Sequence, residues 1–133
     1  MANSRKINTS SAGASLVSTD VDCDSGIVVG DWVKIDGNGV AQKAQADSVS
    51  NAQLAGVVQN KSSSTKCDIV HAGPTDSIFS SLDETKTYFL SNSVAGGMTL
   101  TVPTASGSVV LKVGVPLNQT QLIVQIGERL LRA

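Results

Sequence analysis

The chain has 133 residues, a net charge of −1, 16% charged residues and 3% aromatics, against an ordinary charged share of about 25%. That length fits one domain, and 41% hydrophobic residues are enough to build a core rather than leave the chain disordered. Two glutamates, Glu84 and Glu128, against 17 valines, 18 serines and 10 threonines disfavour helical bundles and coiled coils, and the near-zero charge argues against a nucleic-acid binder.

Residues 1–14 are mostly small and polar, with two basic side chains, Arg5 and Lys6, and one isoleucine, Ile7; without periodicity they read as an extended arm. Alternation starts at Leu16. Val17, Thr19, Val21 and Cys23 fall on one face and Ser18, Asp20, Asp22 and Asp24 on the other, the pattern of a half-buried strand with an acidic outer face. In the stretch 30–36, Val33 and Ile35 take the inward positions and Trp32 and Lys34 the outward ones, so Trp32 becomes a candidate interface residue. Asp36-Gly-Asn-Gly39 is a strong turn signal, and 40–43 reads as the return strand of a hairpin. Residues 44–53 read as a loop or at most one helical turn.

Further along, 54–59 reads as a strand, Ser62-Ser-Ser64 as a turn, and 65–71 as the return, with Cys67 and Ile69 on one face and Gly73-Pro74 breaking it. Strands follow at 85–91, 98–102, 108–115 and 121–126, the last with Leu122, Val124 and Ile126 inward. Nine to eleven short strands with turn signals about every eight to twelve residues predict an all-β, single-domain antiparallel β-sandwich or β-barrel. The organisation expected is an N-terminal arm (1–14), a β-domain (15–127) and a C-terminal tail (128–133). In that tail Arg129, Leu130, Leu131 and Arg132 combine two adjacent leucines with two bases, an interaction element or a short helical turn folded back on its own domain.

The charge is unevenly spread. Asp20, Asp22, Asp24, Asp31 and Asp36 lie close together, opposed locally only by Lys34, while the bases gather at the ends; an acidic body and basic arms would suit contacts between subunits. The run Asp20-Val-Asp-Cys-Asp-Ser-Gly26 has the opening spacing of a calcium loop, but its glycine is one position late, its twelfth position is Asp31 rather than glutamate, and helices are missing on both sides. His71 is the sole histidine, and its spacing from Cys67 matches no zinc pattern. No Gly-x-Ser-x-Gly elbow or phosphate-binding loop is present. The expectation is a protein that is not an enzyme, with no cofactor or metal. Two cysteines, no signal-like apolar start and no 18-residue apolar run lead to the expectation of a soluble protein made in a reducing cytosol, with free thiols and no membrane contact.

Several turn-and-strand phrases carry a resemblance. They are 30–47 (Gly-Asp-Trp-Val-Lys-Ile-Asp-Gly-Asn-Gly-Val-Ala-Gln-Lys-Ala-Gln-Ala-Asp), 54–61 (Leu-Ala-Gly-Val-Val-Gln-Asn-Lys), 88–91 (Tyr-Phe-Leu-Ser), 97–104 (Gly-Met-Thr-Leu-Thr-Val-Pro-Thr), 113–117 (Val-Gly-Val-Pro-Leu) and 122–127 (Leu-Ile-Val-Gln-Ile-Gly). Over residues 16–127 the chain resembles small β-rich virion proteins of tailed bacteriophages, above all capsid decoration (cement) proteins. The resemblance supplies no catalytic residues. It implies a structural part of the virion, assembled in the host cytoplasm, that binds the major capsid protein or other virion proteins as a homo-oligomer, a trimer among the options, and clamps neighbouring capsomers. A tail, head-fibre or adaptor component is the alternative within the virion, and a receptor- or carbohydrate-binding β module the alternative outside it.

Overall fold

A computed structural model describes residues 15–133, and among them every regular element is a strand. In chain order they are β1 (Leu16–Asp22), β2 (Trp32–Ile35), β3 (Ala41–Lys43), β4 (Leu54–Ser63), β5 (Lys66–Pro74), β6 (Tyr88–Leu90), β7 (Met98–Thr99), β8 (Val109–Val110), β9 (Lys112–Pro116), β10 (Leu122–Val124) and β11 (Leu130–Leu131). Nine of them form one curled antiparallel sheet in the order β3-β2-β4-β5-β10-β9-β6-β7, with β1 on β5. β8 and β11 form a separate two-stranded sheet. The all-β class expected from the turn spacing is what the chain adopts.

The β4–β5 hairpin is the spine. Its strands have 10 and 9 residues, and they pass Val57, Val58, Ile69 and Val70 through the interior with no accessible surface. Pairing continues past Gly73 into Pro74, where β5 meets Val124 and Ile123 of β10. The predicted break at that dipeptide is therefore corrected: Pro74 is the last strand residue, and its missing amide costs no ladder bond there.

β2, β4 and β5 are buried on both faces. Trp32, Val57 and Val70 join one core cluster with Leu90, Leu111, Val113, Leu122 and Val124. Their sequence neighbours Val33, Val58 and Ile69 join a second cluster with Cys23, Ile27, Ala41 and Cys67. This overturns the outward assignment of Trp32. Alternation predicts a sheet with one solvated face, but this part of the sheet has none, so both parities are apolar. Ile35, assigned inward, is 41% exposed, because β2 runs out from under the core at its hairpin end.

The hairpin turn is built as its sequence signals. The Asp36 carboxylate accepts bonds from the amides of Asn38 (2.8 Å) and Val40 (3.0 Å), and the Gly39 amide donates to the Asp36 carbonyl at φ +79°, a left-handed conformation that glycine adopts without strain. Gly56 answers a different need: a β-carbon there would stand 2.1 Å from the Val70 carbonyl oxygen, so only hydrogen fits between β4 and β5.

Candidate interaction surface: the acidic edge strand and the docked tail

Among the described residues β1 pairs with β5 alone and forms an edge of the described sheet. Its register shifts between Ser18 and Val21, with Asp20 at φ +53°, the signature of a bulge. One extra residue reverses side-chain parity. Val17, opposite Val70, packs on the larger cluster, whereas Val21, opposite Cys67, packs on the smaller one. The expected single inward face for Val17, Thr19, Val21 and Cys23 is thus split at the bulge.

The acids on this edge have partners that sequence proximity does not reveal. Asp22 pairs with Lys66 across the ladder, and that bond, with the aspartate's charge behind it, raises the Lys66 ammonium above its ordinary range. Asp20 accepts a bond from the Ser62 hydroxyl at 3.2 Å while its own amide donates to Asp68 at 3.1 Å. Asp24 is exposed in the following turn. Asp31 belongs elsewhere, where it accepts the Val28 amide at 2.9 Å and faces Lys43 at 3.8 Å. The five-aspartate cluster seen in the sequence therefore separates into an edge pair (Asp20, Asp22), an exposed turn residue (Asp24), a loop brace (Asp31) and a turn cap (Asp36). Among the described residues no three of His, Cys, Asp and Glu gather where they could hold a metal ion.

His71 fastens the same edge. Its Nε2 lies 2.7 Å from the Ser18 hydroxyl and its Nδ1 2.8 Å from the Ala55 carbonyl. Ala55 is the extra residue where the β2–β4 register shifts, so its carbonyl is available to a side chain. A carbonyl beside Nδ1 requires that nitrogen to be the donor, which leaves Nε2 to accept the serine proton. The imidazole thus ties β1 to β4 across β5. A lone histidine in a strand gives no sequence signal of such a tie.

At the other end of the chain the tail is docked on its own body. Leu130 and Leu131 pair with Val110 and Val109. The Arg132 amide donates to the Ser108 carbonyl at 2.8 Å, the Gly107 amide to the Arg132 carbonyl at 2.9 Å, and Arg132 Nε to the Pro103 carbonyl at 3.0 Å. The tail folds back on its own domain, but through a strand at Leu130–Leu131 rather than the helical turn expected for 128–133, because the β8 edge offers backbone partners that a free tail lacks. Docking leaves the leucines uncovered: each is 60% exposed. Adjacent strand residues point to opposite faces, so the ribbon is open on both. Beside it, the 103–105 segment lines a depression of about 280 Å³ with Ser91, Asn92, Ser93 and Thr99.

Of the candidate interface residues, the structure places Asp20, Asp22 and Asp24 on or next to the β1 edge and Arg129, Leu130, Leu131 and Arg132 on the ribbon. Trp32 is removed from the set, since its ring is wholly buried and its indole nitrogen has no hydrogen-bond partner. Arg5, Lys6 and Ile7 lie outside the described residues. No described helix is long and apolar enough to cross a membrane. Comparison with protein-family models, with curated proteins and with solved structures finds no match to this chain.

Proposed function

We propose that the chain is a non-enzymatic structural protein of a bacteriophage virion, a capsid decoration protein that binds the outer shell and stabilises neighbouring capsomers. The observation that carries this reading is the ribbon. Its backbone is fixed by β8, Gly107 and Ser108, and the Arg132 side chain by the Pro103 carbonyl, yet Leu130 and Leu131 face solvent beside Arg129. Held backbone and open apolar side chains suit docking on another protein, because little ordering entropy remains to be lost on contact. The resemblance of segments 30–47, 54–61, 113–117 and 122–127 to virion proteins adds support. Cementing by such a protein is multivalent: each contact can be modest when many copies engage one shell.

Electron microscopy of the source particle tests the location, and density of this size on the shell exterior is expected. Density on the tail or fibres instead would move the chain to another virion part. A rupture assay tests the mechanism. Shells carrying the protein should survive to a higher temperature than stripped shells, and equal rupture temperatures would reject cementing.

A further inference from the structure

The two cysteines, 44 positions apart in sequence, meet inside the smaller core cluster. Val21 stands opposite Cys67, and the ladder runs on to the Cys23 amide, which donates to the Thr65 carbonyl at 2.9 Å. Cys23 is thus the diagonal neighbour of Cys67 on the same face, and both belong to the same core cluster. Both are free and buried, 4% and 0% exposed. Diagonal strand residues stand about 7–8 Å apart at Cα, just outside the usual disulfide span of about 4.4–6.8 Å. Cys23 is the position able to close that gap by a small shift: it follows the last β1 pair, is held by the Thr65 carbonyl and a bridge to Ala41, and leads into the exposed 24–26 turn.

We propose that Cys23 and Cys67 form an oxidation-closed clasp, an intramolecular disulfide that pins the end of the β1 edge to β5. The oxidant is a small-molecule disulfide of the glutathione class. The Cys23 thiolate attacks one of its sulfurs, forming a mixed disulfide and expelling one small thiolate. The Cys67 thiolate then attacks Cys23 Sγ, forming the Sγ–Sγ bond and expelling the second. The two cysteines lose two electrons and two protons, and the oxidant leaves as two thiols. Burial, with Cys23 beside it, pushes the Cys67 thiol up to about 12, so in the closed protein it stays protonated at neutral pH. Exchange therefore proceeds when the β1 end opens, and reclosure traps the product. That opening releases the Thr65 and Ala41 contacts of a strand end next to a bulge, a local motion that leaves the rest of the sheet paired. The clasp is independent of the virion reading and holds for this fold in any role.

The test uses the full chain, purified reduced, incubated with oxidised glutathione, then alkylated in denaturant. The expected product has lost the mass of two hydrogens, takes up no alkylating agent, yields a peptide cross-linked through Cys23 and Cys67, and melts about 5–15 °C higher until dithiothreitol is added. Cys23→Ser and Cys67→Ser single variants should end as glutathione adducts with no such rise. The proposal is overturned if both thiols of the native chain still alkylate after prolonged oxidation, if stable glutathione adducts or cross-linked dimers form instead, or if the internal disulfide forms without raising the melting temperature.

Discussion

The two faces of the β2–β4–β5 sheet are made by alternate residues of the same strands, yet they are closed by different parts of the chain. The Trp32–Val57–Val70 face is covered from far away in sequence, by Leu90, Leu111, Val113, Leu122 and Val124. The Val33–Val58–Ile69 face, continued by Ala41 and Cys67, is closed from nearby, by Cys23 and Ile27. The larger face assembles the domain, since it cannot exist until the second half of the chain has folded against the first. The smaller face fastens an edge strand and a hairpin onto a sheet already formed. Damage to the first should be global, and damage to the second should loosen β1 and the β2–β3 hairpin before anything else.

The sharpest test removes the centre of each face in turn. Trp32→Ala should cost about 3–5 kcal/mol, and Ile69→Ala about 2–5 kcal/mol, both read by chemical denaturation followed by circular dichroism. Hydrogen exchange separates them: Trp32→Ala should accelerate amides in every strand, whereas Ile69→Ala should chiefly accelerate those of β1 to β3. Equal acceleration throughout would mean the two faces form one cooperative unit. Trp32→Phe should lose far less than Trp32→Ala. It keeps a ring in place and removes an indole donor that has no partner, and such a buried donor itself carries a penalty of about 1–3 kcal/mol.

Gly56→Ala strikes both faces through the backbone. The added methyl meets the Val70 carbonyl and Ile69 Cγ2, so β4 and β5 must separate locally. A loss of about 1–3 kcal/mol is expected, together with faster exchange of the Gly30 amide, which donates to the Val58 carbonyl. Unchanged stability would show that the spine tolerates a wider spacing than its packing indicates.

The ribbon should behave in the opposite way. Leu130→Ser with Leu131→Ser changes side chains that are already largely in water, so stability should move by no more than about 0.5 kcal/mol, whereas the proposed role requires binding to shells to fall. Deleting 128–133 should likewise leave the main sheet intact and weaken assembly. If binding survives both changes, the ribbon is not the docking surface.

What the sequence disclosed depended on how far each rule reaches along the chain. Alternation and turn chemistry are local, so the strand-rich class, the Asp36–Gly39 turn and the inward set Leu122, Val124 and Ile126 were legible. The identity of the solvent-free strands was not. Trp32 and Val33 differ from an ordinary half-buried pair only because β4 lies beside them and a second layer covers each face, which is tertiary information. The parity reversal between Val17 and Val21 was hidden too, since a bulge inserts one residue without any marker beyond an aspartate able to adopt positive φ. The candidate surface divides in the same way. The tail leucines stood out as adjacent apolar residues among bases, but the pairing of Asp22 with Lys66, the His71 tie and the meeting of Cys23 with Cys67 all required the β1–β5 register.

The smallest effect belongs to the hairpin that helps close the smaller face, and it is a pH effect. Backbone amides of Val40 and Asn38, followed by the Gln42 side chain, hold the Asp36 carboxyl below its ordinary value of 3.8. The Asp83 carboxyl is held down in the same direction by the Thr85 hydroxyl and amide. A carboxyl whose folded value lies below its unfolded value stabilises the fold above the unfolded value, and that contribution disappears as pH falls through the folded one. Stability should therefore be flat from neutrality to about pH 5 and decline below about pH 4, with the β2–β3 amides the first in the large sheet to lose exchange protection. In Asp36→Asn the side-chain oxygen can still accept the Asn38 and Val40 amides, but it no longer titrates. The variant should keep the hairpin near pH 7 and show a shallower acid decline, with Asp83 supplying what remains. An acid slope unchanged by Asp36→Asn would remove this turn from the acid response and leave the smaller face held by its apolar contacts alone.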